Sequence, residues 1–144
     1  MKRYFFGFLI FATMIVVSRS EAAADTDADM LQGEWELVSV EIQGKTLPAL
    51  AGKGGSIVFA KDGKLIWKDP GKPERIGKYK IDASQAPKQI DLTTSKEGEA
   101  IPGIYELDGD KLKMAFSAAG AKGKRPRAFQ GEKVMIVLWK RPKS

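Results

Sequence analysis

The stretch LQGEWELVSVEIQ, residues 31–43, decides the fold. It begins with Gly33-Glu34-Trp35, a Gly-x-Trp motif, and continues into a segment rich in valine, which favours strands. Gly33 allows a close backbone approach or a positive φ where the chain enters the strand. Trp35 is large enough to plug the end of a barrel, and its indole N–H can still find a partner at the wet rim. The stretch therefore predicts the first strand of a β-barrel.

The first 24 residues have three features of a secretory signal peptide. Lys2 and Arg3 form a positive start, residues 4–17 form an apolar run, and residues 22–24 are three alanines that fit the cleavage pattern. The apolar run is shorter than the ~20 residues of a membrane-spanning helix, so we expect no transmembrane anchor after cleavage. The predicted division is a signal peptide over 1–24, a flexible leader over 25–30 and one domain over 31–144. The predicted location is periplasmic or extracellular.

Composition excludes several classes of enzyme. The chain has no Cys and no His, which removes thiolate chemistry, the Ser-His-Asp triad and the commonest ligand of zinc. Loss of residues 1–24 would lower the net charge from +6 to +4, an ordinary value for a small soluble domain. We therefore expect no cofactor, no metal and no nucleic-acid partner. The oligomeric state stays open.

Short segments of alternating hydrophobicity follow the first strand along the chain. Asp62-Gly63 and Asp108-Gly109 each lie between two such segments, and Asp-Gly is among the strongest hairpin signals. Residues 47–53 could form one helical turn. Pro102 predicts an edge or a bulge in its strand. The predicted strands cover residues 36–42, 56–60, 64–68, 75–81, 89–93, 100–107, 111–117 and 134–141.

The first and last of these strands are too apolar to be exposed edges. If they pair with each other, the sheet closes and both edges disappear. The sequence thus predicts an all-β fold, an eight-stranded antiparallel up-and-down barrel, in which the last strand is covered on both faces.

The chain resembles a family of uncharacterised lipocalin-like domains that occur in many copies in planctomycete-type bacteria. The resemblance rests on Leu-Gln-Gly-x-Trp at 31–35, on PKQIDL at 87–92 and on GIYELDGD at 103–110, and it covers about residues 31–141. It implies a lipocalin-like barrel but no activity. It also implies that Gly33, Trp35 and Arg141 close one end of the barrel, with the guanidinium over the indole. The chain lacks the disulfide and the long C-terminal helix of many lipocalins.

Five aromatic residues are predicted to face the barrel interior. They could form a packed core, which is the commoner arrangement, or line a pocket for a small hydrophobic ligand. These residues are Phe59, Trp67, Tyr79, Tyr105 and Phe116.

Charged residues suggest weaker sites. A basic run, Lys122, Lys124, Arg125 and Arg127, could bind an anionic partner, although such a run is usually a solvated loop that a residue such as Phe129 could hold down. Asp62, Asp108 and Asp110 invite a calcium interpretation, but tight turns explain them better. Glu34, Glu36 and Glu41 could supply acid–base carboxylates, yet their spacing does not force any two together.

The leading hypothesis is an exported, non-enzymatic barrel that binds a small hydrophobic molecule. One alternative is a structural or adhesive module of the cell envelope that uses the basic run. A less favoured alternative is an enzyme that works with carboxylates alone. A cavity without converging charges would favour the first, and a buried carboxylate with a raised pKa would favour the enzyme.

Overall fold

A computed structural model describes residues 27–48, 54–94 and 98–143. The expected signal peptide lies outside these residues. Within the described ranges, no helix has the length and hydrophobicity needed to span a bilayer. The described residues form nine strands: β1 (Gly33–Ile42), β2 (Lys45–Pro48), β3 (Ser56–Phe59), β4 (Lys64–Lys68), β5 (Arg75–Asp82), β6 (Lys88–Thr94), β7 (Ala100–Asp108), β8 (Lys111–Ser117) and β9 (Val134–Lys140).

Eight of these strands make a closed antiparallel barrel, as predicted. Each strand from β3 to β9 pairs with the next, and β9 pairs with β1 to complete the ring. The strand β1 is shared along its length: residues 33–36 pair with β3, and residues 39–42 pair with the additional strand β2. The expected helical turn over 47–53 is wrong at Leu47, because Leu47 pairs with Val40 in β2. It is wrong at Pro48 as well, because Pro48 also belongs to β2 and pairs with Ser39 of β1. Residues 49–53 of that turn lie outside the described residues.

The Asp-Gly hairpins form where the sequence predicts them. Asp62 has a φ of 68° and Gly63 a φ of 73°, and two consecutive residues with positive φ match the twist of the flanking strands. Gly109, at the other hairpin, has a φ of 55°.

Pro102 lies in a part of β7 that has no partner strand on one side. It pairs with Asp91 of β6, but the ladder between β7 and β8 begins only at Gly103. A residue without an N–H therefore costs no hydrogen bond on the side of β8. β7 itself is an internal strand between β6 and β8, so the expected edge position is found only locally, where the start of β7 extends beyond its pairing with β8.

The main core fills the barrel interior and follows the alternation of the strands. Its most buried residues are Leu31, Trp35, Ile57, Phe59, Leu65, Ile90, Leu92, Tyr105, Leu112, Met114, Phe116, Val137 and Trp139. A smaller cluster of Ile104, Ala115 and Ile136 forms apart from it, and Phe129 packs against this cluster. Phe129 thus holds the loop after β8 against the barrel wall, which explains why β9 is apolar on both faces.

The segment before β1 differs from the expected flexible leader. Residues 27–31 are helical, and only 6% of Asp27 is exposed. Asp27 reaches Lys88 and Tyr105, whereas Met30 and Leu31 each accept a hydrogen bond at their carbonyl oxygen. These contacts anchor the segment to the barrel, so the folded domain includes residues 27–30.

Candidate functional site

The barrel interior contains a cavity of about 300 Å³ at one end. That end is where β4, β6 and β8 finish and where β5, β7 and β9 begin, opposite the end that holds Trp35. The lining consists of Ile57, Trp67, Arg75, Leu92, Ile101, Met114, Phe116, Ser117, Ala118, Gly120, Met135, Val137 and Trp139. The site is thus a mainly apolar pocket with few polar groups, the usual composition of a small-molecule site.

The mouth of the cavity carries a positive charge. Arg75 begins β5, and its guanidinium carbon lies 5.8 Å from the centre of the Trp67 ring. The same guanidinium donates to the Asp69 carboxylate at 2.8 Å. Because 62% of the Arg75 side chain is exposed, this ion pair is weak and can exchange with other anions.

The opposite, inner end of the cavity is reached by Trp139. This side chain faces the interior, where Leu37 and Leu112 flank it on the neighbouring strands. Its indole nitrogen is buried and has no hydrogen-bond partner among the described residues. A buried donor without a partner costs about 1–3 kcal/mol of stability.

The five predicted interior aromatics all lie inside the barrel, but the structure divides them into two groups. Trp67 and Phe116 line the cavity. Phe59 and Tyr79 do not, and their rings pack edge to face with 4.9 Å between centroids. Burial raises the pKa of Tyr79, whose hydroxyl donates to the carbonyl oxygen of Ala60 at 3.0 Å. The two predicted arrangements therefore coexist, a packed core at one end and a pocket at the other.

Tyr105, the fifth aromatic, belongs to a polar cluster at the closed end. Its hydroxyl donates to the Asp27 carboxylate at 2.7 Å, and Lys88 donates to the same oxygen at 2.8 Å. Burial raises the pKa of Tyr105, and the hydrogen bond to Asp27 raises it further. The roles of Asp27 and Lys88 could not be predicted from local sequence, because Asp27 lies 61 residues from Lys88 and 78 residues from Tyr105 along the chain.

Gly33, Trp35 and Arg141 meet at this closed end. Trp35 is fully buried, and its indole N–H donates to the Leu31 carbonyl oxygen at 2.8 Å. The guanidinium carbon of Arg141 lies 3.9 Å from the centre of the Trp35 ring. Burial lowers the pKa of Arg141, and the guanidinium donates to the carbonyl oxygens of Met30 and Glu34. These contacts seal the end of the barrel that the cavity does not use.

The basic run is not a single charged surface. Lys122, Lys124 and Arg127 are exposed. Arg125 instead turns onto the barrel, where it donates to the Gly103 carbonyl oxygen and to the Asp91 carboxylate, each at 2.7 Å. Three of the four predicted residues therefore remain available to solvent, and the fourth fixes the loop.

The acidic residues do not line the cavity. Asp62 and Asp108 belong to the hairpins, and Glu34 is exposed and accepts a hydrogen bond from the Ser56 hydroxyl at 2.9 Å. Across the described ranges, no group of three or more His, Cys, Asp or Glu residues is arranged to hold a metal ion.

A second concave region, of about 500 Å³, is lined by residues of β1, β7, β8 and β9. Its apolar part consists of Val38, Leu112, Leu138 and Trp139, and charged residues of both signs surround it: Glu106, Asp108, Lys111, Lys113 and Lys140. Cross-strand neighbours such as Glu106 and Lys113 have opposite charges, so the surface has no dominant sign. The interior cavity is therefore the better-defined site.

No protein-family model, curated protein or solved structure matches this chain in the three comparisons.

Proposed function

We propose that this chain is an exported β-barrel that binds a small, mainly apolar molecule in the cavity at its open end. The observation that carries the proposal is the cavity of about 300 Å³, whose lining is largely aliphatic and aromatic. That volume lies at the lower limit of known ligand sites, about 300–1,000 Å³. Burial of an apolar molecule there contributes roughly 25 cal/mol for each Å² removed from water.

Binding without catalysis fits the residues around the cavity. The chain contains no His and no Cys, and the described lining residues include no carboxylate that could act as a general acid or base. Recovery of a bound ligand in unchanged form after prolonged incubation would agree with a carrier. Conversion of the ligand would contradict it.

Export and the lipocalin-like relationship belong to the same proposal. Export rests on the pattern of residues 1–24, and the mass of the protein purified from its own envelope fraction tests it: we expect a chain that begins near Asp25. The contact between Trp35 and Arg141 supports the lipocalin-like relationship.

The binding test uses a neutral fluorescent probe, N-phenyl-1-naphthylamine, and two matched substitutions. Ile101 lines the cavity, whereas Ile76 lies on the next strand but one and is 47% exposed. Ile101→Phe fills part of the cavity and should weaken binding by about tenfold, the equivalent of ~1.4 kcal/mol of lost fit. Ile76→Phe should leave the affinity unchanged. Absence of binding to the unmodified protein, together with a native mass that shows no co-purified molecule, would overturn the proposal.

A further inference from the structure

The charge at the mouth of the cavity comes from an inward-facing position. Among the described residues that line the cavity, Arg75 alone is charged. Arg75 lies on the same face of β5 as Gly77 and Tyr79, because side chains alternate along a strand. Gly77 is buried and Tyr79 packs against the main core, so this face is the interior one. The first position of β5 therefore brings a positive charge to the entrance of an apolar interior.

The ring of Trp67 connects this charge to the cavity wall. Trp67 is the cross-strand partner of Arg75, and both residues line the cavity. The Trp67 ring occupies the space that a side chain at position 77 would fill, since a Cβ built on Gly77 would lie 2.7 Å from its Cζ3 atom. The guanidinium carbon lies 5.8 Å from the centre of the same ring. The cation is thus placed beside an aromatic surface against which an apolar ligand would pack.

The guanidinium of Arg75 retains donors for a second acceptor. Its Nη2 atom donates to the Asp69 carboxylate at 2.8 Å, whereas Nε and Nη1 form no hydrogen bond with the residues that the structure describes. A guanidinium can offer two parallel N–H groups to one carboxylate. A ligand carboxylate at the mouth therefore has donors to bind even before Asp69 is displaced.

Asp69 competes weakly for the same cation. It does not line the cavity, and its side chain and that of Arg75 are 34% and 62% exposed. An ion pair this exposed contributes little to stability. A carboxylate attached to an apolar body gains in addition from the burial of that body. Such a ligand should therefore take the place of Asp69 on the guanidinium.

The volume limits the size of the ligand. An apolar cavity of ~150 Å³ holds benzene, which has six carbon atoms, so a cavity of about 300 Å³ suits roughly a dozen non-hydrogen atoms. That size is closer to a bicyclic aromatic or a medium-length aliphatic molecule than to a long-chain lipid.

We propose that the cavity takes a small apolar acid in its ionised form, whose body enters the barrel and whose carboxylate pairs with Arg75 at the mouth. This orientation keeps the charge in contact with water, so only the apolar body is desolvated. The inference rests on the proposed function, since it names the chemical class that the same cavity takes.

The test is a calorimetric titration with three probes that have the same ring system and planar head groups of equal size. They are 2-naphthoate, which is anionic, 2-naphthamide, which is neutral, and 2-naphthamidine, which is cationic. Because the probes differ mainly in charge, a carboxylate site predicts that 2-naphthoate binds about fivefold or more tightly than 2-naphthamide. The cationic probe should bind most weakly.

Two substitutions should change the affinity for 2-naphthoate in opposite directions. Arg75→Gln removes the cation and should lower this affinity by about fivefold. Asp69→Asn removes the competing carboxylate and should raise it by about threefold. Neither should change the affinity for 2-naphthamide by more than about twofold. Arg127→Gln is the control, since Arg127 is exposed and does not line the cavity.

A further measurement needs no variant. The contact with Arg75 is exposed to solvent, so salt should screen it. The ratio of the affinities for 2-naphthoate and 2-naphthamide should therefore fall towards one as sodium chloride is raised from about 20 mM to about 500 mM. A ratio that does not depend on salt would contradict a carboxylate held at the mouth.

The outcomes distinguish the two proposals. Equal affinity for the three probes would overturn this inference and leave the apolar carrier intact. So would a preference for 2-naphthoate that both Arg75→Gln and Asp69→Asn leave unchanged, or binding of N-phenyl-1-naphthylamine without binding of any of the three. Failure of all four compounds to bind would contradict the proposed function itself.

Discussion

The guanidinium of Arg141 lies over the indole of Trp35, with 3.9 Å between the guanidinium carbon and the ring centre. The same group bonds the carbonyl oxygens of Met30 and Glu34. One side chain from the end of the last strand therefore joins the helical segment and the first strand at the sealed end of the barrel. A planar, forked donor can do both at once, which the single ammonium of lysine cannot.

Arg141→Lys should therefore lower the free energy of unfolding by about 1–2 kcal/mol, since it keeps the charge but loses the stacked plane and a hydrogen bond. Urea denaturation would measure the change. Lys140→Arg is the control on the adjacent, exposed position and should have little effect. Equal stability of Arg141→Lys and the unmodified protein would show that charge alone explains the contact.

Gly33 should not tolerate a side chain. Its φ is 105°, and an added Cβ would lie 2.9 Å from the Arg141 guanidinium nitrogen Nη1. Gly33→Ala should thus destabilise the protein by more than about 1 kcal/mol, through backbone strain and displacement of Arg141. Gly44→Ala is the matched control, because Gly44 has a φ of 73° and open space around it. If both substitutions lower the free energy of unfolding equally, the contact with Arg141 adds nothing to the requirement for glycine at position 33.

Asp27 should contribute to stability although it precedes the barrel. Asp27→Asn removes the charge that Lys88 and Tyr105 share, and we expect a loss of about 1–3 kcal/mol in thermal or urea unfolding. Asp29→Asn, on an exposed residue of the same helical segment, should be nearly neutral. Two equally small effects would mean that the segment is not anchored through this carboxylate.

Tyr105 should make the protein sensitive to alkaline pH. Burial raises its pKa in the folded state, whereas the unfolded chain ionises near 10. Above pH ~10 the folded state then binds more protons than the unfolded state, so the free energy of unfolding falls by up to about 1.4 kcal/mol per pH unit. Below that pH the contribution is fully present.

In the Tyr105→Phe variant the free energy of unfolding should fall less steeply between pH 10 and 11.5. It should also be lower at every pH by a constant amount, because the hydrogen bond of the Tyr105 hydroxyl is missing. Urea unfolding over pH 8–11.5 would compare the two proteins. Tyr79, whose pKa burial also raises, titrates in both and cancels in the comparison. Parallel curves for the two proteins would contradict this prediction.

Arg125 should behave differently from its basic neighbours. It bonds Gly103 and Asp91, so Arg125→Gln should lower stability by about 1–2 kcal/mol and increase proteolytic cleavage within residues 118–133. Lys124→Gln, on an exposed residue beside it, should change neither quantity. If both substitutions have the same small effect, the contacts of Arg125 contribute little to stability, and Arg125 behaves as a solvated charge.

The closed barrel could be predicted because its signals are local. Alternation placed Ile57, Phe59 and Leu65 on the interior face, and Asp62-Gly63 defined a hairpin, since the side-chain direction and the turn conformation depend on neighbouring residues. Pairing of the first and last strands followed from the cost of two apolar edges. The strand β2 was missed because Pro48 and Leu47 also suit a helical start.

The polar contacts could not be predicted in the same way. Asp27 looks like part of an acidic leader until its distant partners are known, and Arg125 looks like its solvated neighbours in the basic run. The sequence also did not predict which interior aromatics pack in the core and which line the cavity. This division depends on how far Phe59 and Phe116 lie from each end of the barrel, which alternation does not reveal.

Pairing of β1 with β9 has a consequence for synthesis. β1 is synthesised first but can pair with β9 only after β9 has been synthesised, and long-range pairing of this kind is slow to form. We expect a chain truncated after residue 133 to be digested rapidly by protease, and rapid refolding of such a chain would contradict this. Until residues 134–140 have been made the seam cannot close, so the nascent chain lacks the finished barrel for most of its time on the ribosome, and an unfinished barrel is the state that the proposed export would require.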